Sequence, residues 1–238
     1  MITLAIDTSE ARGSVALSKD GAALAVMTHE DATDYSVWLL PAVDGALSQA
    51  ATKMEWIDLL AVSTGPGSFT GLRVGLTTVK AWAEVYGTRI VGISRLEAMA
   101  RSREADSGFV TACYDAHRGQ LFAGLYRRSS SSLQRVGDEL VIAPEDLIRL
   151  IDEQAGKEPV TWISLDRDLI VNLEAMKRRI AAGDKIVPVS PELAPIIGRL
   201  AEENAAKGQF SDPLALDANY VRRSDAEIFW KSMSSGVR

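Results

Sequence analysis

Residues 63–73 read STGPGSFTGLR, preceded by the apolar run DLLAV at 58–62 and followed by VGLTTVKAWAEVY at 74–86. A buried strand followed by a tight turn and an amphipathic helix is the unit from which α/β folds are assembled. Three glycines and a proline within seven positions demand a sharp reversal before the helix starts. Loops of this composition often cradle phosphate, so the spacing has to be checked. A Walker-type loop needs two glycines four residues apart, followed by Lys-Ser or Lys-Thr. Here Gly65 and Gly71 enclose five residues and lead into Leu72-Arg73. The dinucleotide pattern G-x-G-x-x-G starts correctly with Gly65 and Gly67 but fails at Thr70. Two readings remain open: a generic anion site at the helix start, or a turn that shapes a protein-binding face. Gly71, Val74, Gly75, Thr78 and Trp82 share one side of the helix, and this small-residue strip permits close approach by another element. That element is either the helix at 33–51 or an external partner, and Phe69 stands exposed at the helix head unless something covers it.

Working outward, ITLAID, SVALS and AALAVMTHE read as three strands with turns at SEARG and KDG. A helix capped by Thr33 or Asp34 follows, with Val37, Leu40, Val43, Leu47 and Ala50 on one face. After the opening helix come the strand RIVGIS and a short helix in which Ser94 and Glu97 fit a capping box. From residue 109 the plan repeats: FVTACYD, the turn AHRG, QLFAGLYRR, a serine hairpin, LQRVGDELVI and a helix opened by Pro144. Asp7 precedes Arg12-Gly13 in the first half, and Asp115 precedes Arg118-Gly119 in the second. The expected fold is therefore α/β, with two related lobes of mixed sheet, 1–104 and 105–238. Beyond that, VTWISL reads as a strand, and DLIVNLEAMKRRIA and PELAPIIGRLAEENAAKG as helices.

The chain has 238 residues, 47% hydrophobic and 24% charged, with a net charge of −6. This matches a globular protein with a sizeable core and argues against a dedicated nucleic-acid grip, which needs a concentrated basic face. A single cysteine, Cys113, excludes an internal disulfide or thiolate metal cluster. The first residues carry no basic leader, and no apolar run approaches a membrane span, so a cytoplasmic location is expected. Only His29 and His117 could serve a triad or a metal, and neither has the required neighbours, so no catalytic or metal residue is assigned. An Asp at the end of a lobe's first strand is where two-lobed nucleotide-binding folds place metal and phosphate contacts. Asp7, Thr8, Ser9, Ser14 and Asp115 are thus candidates for a vestigial phosphate site, with simple turn capping as the alternative. An autonomous ATPase or phosphotransferase is the competing functional class.

The segments AIDTSEARGSVAL, LLAVSTGPGSFTGLRVGLTTVKAWA, VGISRLEAMA and YDAHRGQLFAGLY, with ANYVR at 218–222, resemble the bacterial TsaB (YeaZ) family. The resemblance is specific in GPGSFTGLR and covers residues 1 to about 127 in the family's order. It implies an actin/Hsp70-like (ASKHA) ATPase fold without catalysis. It further implies an accessory role in threonylcarbamoyl modification of tRNA: binding and activating the catalytic homologue TsaD, and helping recruit the ATPase TsaE. Carried over, Ser36, Leu39, Leu40, Val43, Phe69, Thr70, Gly71, Arg73, Val74 and Thr77 fall at the partner surface. The same surface would support a homodimer when the chain is alone. The implied contact with tRNA is through the complex, and no cofactor is expected beyond ATP or ADP with magnesium at the partner interface. One departure stands out: Tyr35 occupies the position where the family usually has histidine.

Overall fold

The computed structural model describes residues 1–30, 33–103, 107–130 and 132–221. The expected lobe boundary at 104/105, Arg222 of ANYVR and the remainder of the tail lie outside the described residues. Sheet one comprises β1 (Ile2–Asp7), β2 (Ser14–Lys19), β3 (Ala22–Thr28), β4 (Leu59–Gly65) and β5 (Arg89–Ser94). Its order is β3-β2-β1-β4-β5, with β1–β2 and β2–β3 antiparallel and β1–β4 and β4–β5 parallel. Sheet two comprises β6 (Gly108–Asp115), β7 (Leu121–Arg128), β8 (Leu133–Ile142), β9 (Val160–Ser164) and β10 (Lys185–Pro188). Its order, β10-β9-β6-β7-β8, repeats the first when read from the opposite edge, with the same pattern of parallel and antiparallel pairs. The repeated Asp-turn-Arg-Gly plan in the sequence therefore reports a real duplication of topology. In each lobe the aspartate ends the central strand: Asp7 faces Ser14 across the first hairpin, and Asp115 faces Leu121 across the second.

Helices α1 (Tyr35–Gln49) and α2 (Phe69–Tyr86) cover one face of sheet one. Side chains alternate across a strand, so Leu4 and Ile6 enter this layer while Ala5 enters the other. Each fully buried leucine or isoleucine here contributes about 1.5–3 kcal/mol. On the opposite face lie α3 (Arg95–Arg101) and α7 (Ala194–Ala206), packed among residues of both sheets. Helix α7 belongs to the second half of the chain yet rests on sheet one, with Gly198 against Ala5. The second lobe adds α4 (Pro144–Ala155), α5 (Asp168–Val171) and α6 (Glu174–Ala181).

The helix limits have local causes. The Ser68 hydroxyl accepts from the Gly71 amide at 3.3 Å at the start of α2, and Gly87 ends that helix in the left-handed region at φ 67°. Ser94 caps α3 through the Glu97 amide. The phase of α1 is different from the sequence expectation. Its buried residues are Leu39, Ala42, Val43 and Ala46, while Val37 and Leu40 are 66% and 53% exposed. Alanines supply half of the inward stripe because the sheet lies close beneath it, and two large apolar side chains are left facing outward.

Candidate functional site

The two hairpin turns face each other across the cleft between the lobes, and their chemistry differs. Asp7 is fully buried. Its Oδ1 accepts from the Ser9 amide at 3.0 Å and from the Ser9 hydroxyl at 2.6 Å, while Oδ2 is ion-paired with Arg95 Nη1. Ser9 also shares a hydrogen bond of 2.6 Å with the Ser63 hydroxyl. Thr8 donates to the Gly71 carbonyl at 2.7 Å, and the Ser14 hydroxyl accepts from the Ala194 amide at 3.1 Å. The four candidate phosphate contacts of the first lobe are thus brought together, but every one is turned into the fold.

Arg95, at the first turn of α3, is completely buried. Burial by itself favours the neutral form, but Asp7, Tyr114 and Glu10 outweigh it and hold the guanidinium pKa above its ordinary value. Its Nε and Nη2 have no hydrogen-bond acceptor among the described residues, and the group lies 5.3 Å from the Tyr114 ring centroid. A bound metal–nucleotide would need Asp7 as a free carboxylate ligand or second-sphere acceptor. These residues do not fit that group, because a fixed side-chain cation already holds the position. Among the described residues no set of three or more His, Cys, Asp or Glu side chains could hold a metal.

The second turn takes the plainer course. Asp115 is partly exposed and accepts from the His117 amide at 2.7 Å, and its own amide donates to Asp166 at 2.8 Å. It caps its turn. His117, Arg118 and Gly119 all adopt positive φ, at 61°, 57° and 72°, which carries the turn toward the first lobe. His29 is a structural residue: its ring nitrogens lie 2.8 Å from the carbonyl oxygens of Ala11 and Thr33. Tyr35 stacks on His29 with centroids 4.5 Å apart, and its hydroxyl donates to the Glu10 carbonyl. Tyrosine at the family's usual histidine position is therefore seated by packing.

Glu10 stands between two cavities of the interlobe cleft, one of about 600 Å³ that includes Tyr35, Phe69 and Phe122 and one of about 370 Å³ that includes Arg95 and Asp166. Burial raises its carboxyl from 4.5 to about 7, against the pull of Arg95 and His117 and with a further push from Asp7 and Asp166.

The glycine strip of α2 proves to be internal. Gly71 lies against the Thr8 carbonyl and Gly75 against the Thr8 side chain, while Gly67 meets the backbone of Ser9; a methyl group at any of them would collide. The neighbour that requires these glycines is the β1–β2 turn, not α1 and not another protein. The expected partner residues consequently separate into two sets. Leu39, Val43 and Gly71 are buried in the core, whereas Ser36, Leu40, Thr70, Arg73 and Thr77 are exposed, with Phe69 and Val74 half-covered. Val37, which the sequence pattern set on the same apolar face as Leu40 and Val43, is more exposed than Leu40. Sequence reasoning missed Arg95, whose partner lies 88 positions away.

These features define a two-lobed α/β chain of the actin-like class in which Asp7, at the end of the first strand, is paired with a buried arginine. The family model described as "TsaD: tRNA N6-adenosine threonylcarbamoyltransferase" matches residues 26–165. The chain belongs to this family, on its TsaB (YeaZ) branch. The tRNA threonylcarbamoyladenosine biosynthesis protein TsaB of Bacillus subtilis (strain 168) is 29% identical over 234 residues, covering 97% of this chain and 98% of its own. A Pseudomonas aeruginosa crystal structure described as similar to peptidase YeaZ aligns with TM-score 0.74 at 25% identity, over 93% of this chain and 99% of that one. A Thermus thermophilus ROK hexokinase, 10% identical with TM-score 0.51 over 86% of this chain and all (100%) of its own, shares the architecture alone.

Two outcomes follow from this geometry. Gly71→Ala gains about 1 kcal/mol of helix propensity, yet it should lose roughly 1–3 kcal/mol of net stability, because the opposing atom is backbone and cannot yield. Urea unfolding of the isolated chain checks this, and an unchanged midpoint would return the strip to an external role. The raised Glu10 pKa means that the folded chain binds this proton more tightly than the unfolded chain does. Its contribution is full below pH 4.5 and drains away as pH climbs to about 7. Glu10→Gln, which stays neutral, should therefore gain stability relative to the parent at pH 8 compared with pH 5, as read from paired urea midpoints. A difference independent of pH would contradict this.

Proposed function

We propose that the chain is a non-catalytic subunit of a cytoplasmic assembly that installs threonylcarbamoyl on tRNA adenosine. It docks on a TsaD-like catalytic homologue, sustains that enzyme's activity and helps recruit a TsaE-like ATPase. tRNA is engaged through the assembly, and in isolation the chain pairs with a second copy through the same face. Nucleotide with magnesium, where the assembly uses it, is held with the partner's help and not by this chain's cleft alone. The observation that carries the reading is the pairing of Asp7 with buried Arg95, which leaves that carboxylate unavailable to a metal or a phosphate. An autonomous ATPase or phosphotransferase would need that carboxylate free. The reading is supported further by family membership, by the outward-facing Val37 and Leu40 of α1, and by the exposed Thr70, Arg73 and Thr77 of α2. Contact work suits such a surface, since burying exposed apolar area against a partner is favourable by about 25 cal/mol per Å².

Leu40→Arg places a charge where the partner's surface would close, and the exposed position leaves the fold intact. Co-purification with the TsaD-like homologue should fall at least about tenfold, equivalent to roughly 1.4 kcal/mol, with an unaltered thermal midpoint. Undiminished capture by the variant would count against docking through α1 and α2.

A further inference from the structure

A buried charged group is tolerated when its hydrogen-bonding positions are filled. Arg95 meets that condition on one side only. Its Nη1 pairs with Asp7, yet Nε and Nη2 have no acceptor among the described residues, although the side chain is completely buried. These two nitrogens are neighbours on one edge of the planar guanidinium, the fork whose parallel N–H bonds match the two oxygens of a carboxylate. One whole recognition edge of a fixed cation is therefore unused, and Asp7, Tyr114 and Glu10 keep that cation charged.

Arg95 forms part of the wall of the smaller interlobe cavity, of about 370 Å³. Much of the remaining wall comes from the second lobe. Asp115 ends β6, Asp166 stands just past the end of β9 and Val189 just past the end of β10. These three strands run parallel as neighbours. The crevice beyond the carboxyl ends of parallel strands is where open α/β sheets take their ligands.

The wall carries acidic groups and an apolar part. Asp115 caps its own turn and lies 3.4 Å from His117 Nδ1. Asp166 accepts from the Asp115 amide at 2.8 Å through Oδ2, and its other oxygen has no hydrogen bond among the described residues. Glu10 adds a third carboxyl, while Leu165, Val189 and Pro191 supply apolar lining.

Two ligand chemistries answer to the Arg95 edge: a bare anion such as inorganic phosphate, or a carboxylate that carries its own cation. Three carboxyl groups beside a guanidinium already paired with Asp7 would repel the first. An α-amino acid satisfies both signs. Its carboxylate takes the fork, its ammonium meets Asp166, and a short aliphatic side chain suits Leu165, Val189 and Pro191.

We infer that the smaller interlobe cavity binds a free aliphatic α-amino acid, with Arg95 receiving the carboxylate and Asp166 the ammonium. Solvent does not reach the Arg95 edge, so a wall side chain has to turn aside to admit the ligand. Glu10, which lines both interlobe cavities and makes no side-chain hydrogen bond among the described residues, is placed to do so. An acylated nitrogen carries no charge, so N-acyl amino acids are refused. Binding of this kind makes and breaks no bond, and it goes beyond the docking reading without depending on it.

Titration calorimetry of the purified full chain tests this with L-valine, isovalerate (which lacks the ammonium), isobutylamine (which lacks the carboxylate), N-acetyl-L-valine and inorganic phosphate. L-Valine should bind saturably with a dissociation constant below about 1 mM, and every other probe at least about tenfold more weakly. Asp166→Asn keeps an oxygen for the Asp115 amide but loses the charge. It should weaken L-valine by about tenfold while isovalerate binds no worse than to the parent, a contrast that general damage to the fold could not produce. Val189→Trp fills the cavity from its apolar side and should abolish L-valine binding with an unchanged thermal midpoint; if that midpoint falls, Asp166→Asn decides. No saturable heat with L-valine in the millimolar range would overturn the inference. Isovalerate or phosphate binding as tightly as L-valine would make this a simple anion site and overturn it, and equal binding of N-acetyl-L-valine would do the same. Parent-like L-valine affinity in Asp166→Asn would overturn the ammonium assignment, and in a folded Val189→Trp it would overturn the location.

Discussion

The ion pair between Asp7 and Arg95 sets the terms for the rest of the molecule. Both side chains are fully buried, so each has given up hydration worth several kcal/mol, and their mutual attraction, with the Ser9 hydrogen bonds, has to make that good. Losing either partner would strand a charge and cost about 3–5 kcal/mol. The pair also joins the end of β1 to the start of α3, the helix that lies between the sheets. One interaction therefore occupies the Asp7 carboxylate, fixes the first hairpin turn and helps seat the lobes.

Other contacts hold the same frame. The Tyr114 hydroxyl on β6 donates to the Pro66 carbonyl at 2.6 Å, joining the second lobe to the loop before α2. The start of α7 reaches Ser14, and Asn219 binds Thr64 and Glu139 together. Nucleotide enzymes of two-lobed form gain function by moving one lobe against the other. Here the lobes are laced together through buried polar contacts on several sides of the cleft. On the outer face of α1, Val37 and Leu40 stand uncovered on a well-supported layer.

Much of this was legible in the sequence. The duplicated strand–Asp–turn–Arg-Gly plan gave the two-lobed topology, and Ser94 with Glu97 marked the start of α3. The phase of α1 was not legible, because Val37 and Leu40 make as good an apolar stripe as Leu39, Ala42, Val43 and Ala46. Periodicity says that a helix has an apolar face; the sheet beneath decides which face that is. The glycines of α2 announced a close approach without naming the neighbour, since Thr8 is remote in sequence. Arg95 gave no signal at all, because an arginine beside a capping serine looks like a surface residue until its distant aspartate is placed. The strand β10 and residues 209–221 carry too little periodicity to be read, and their positions come from pairing with β9 and from single hydrogen bonds.

The functional consequence of the Asp7–Arg95 pair can be measured without any partner. Titration calorimetry of the purified chain with magnesium and ATP, at concentrations up to the millimolar range, should show no saturable heat. Saturable binding that disappears in Asp7→Asn would mean that the carboxylate is free to serve a metal–nucleotide, and would contradict a phosphate position closed by the chain's own arginine.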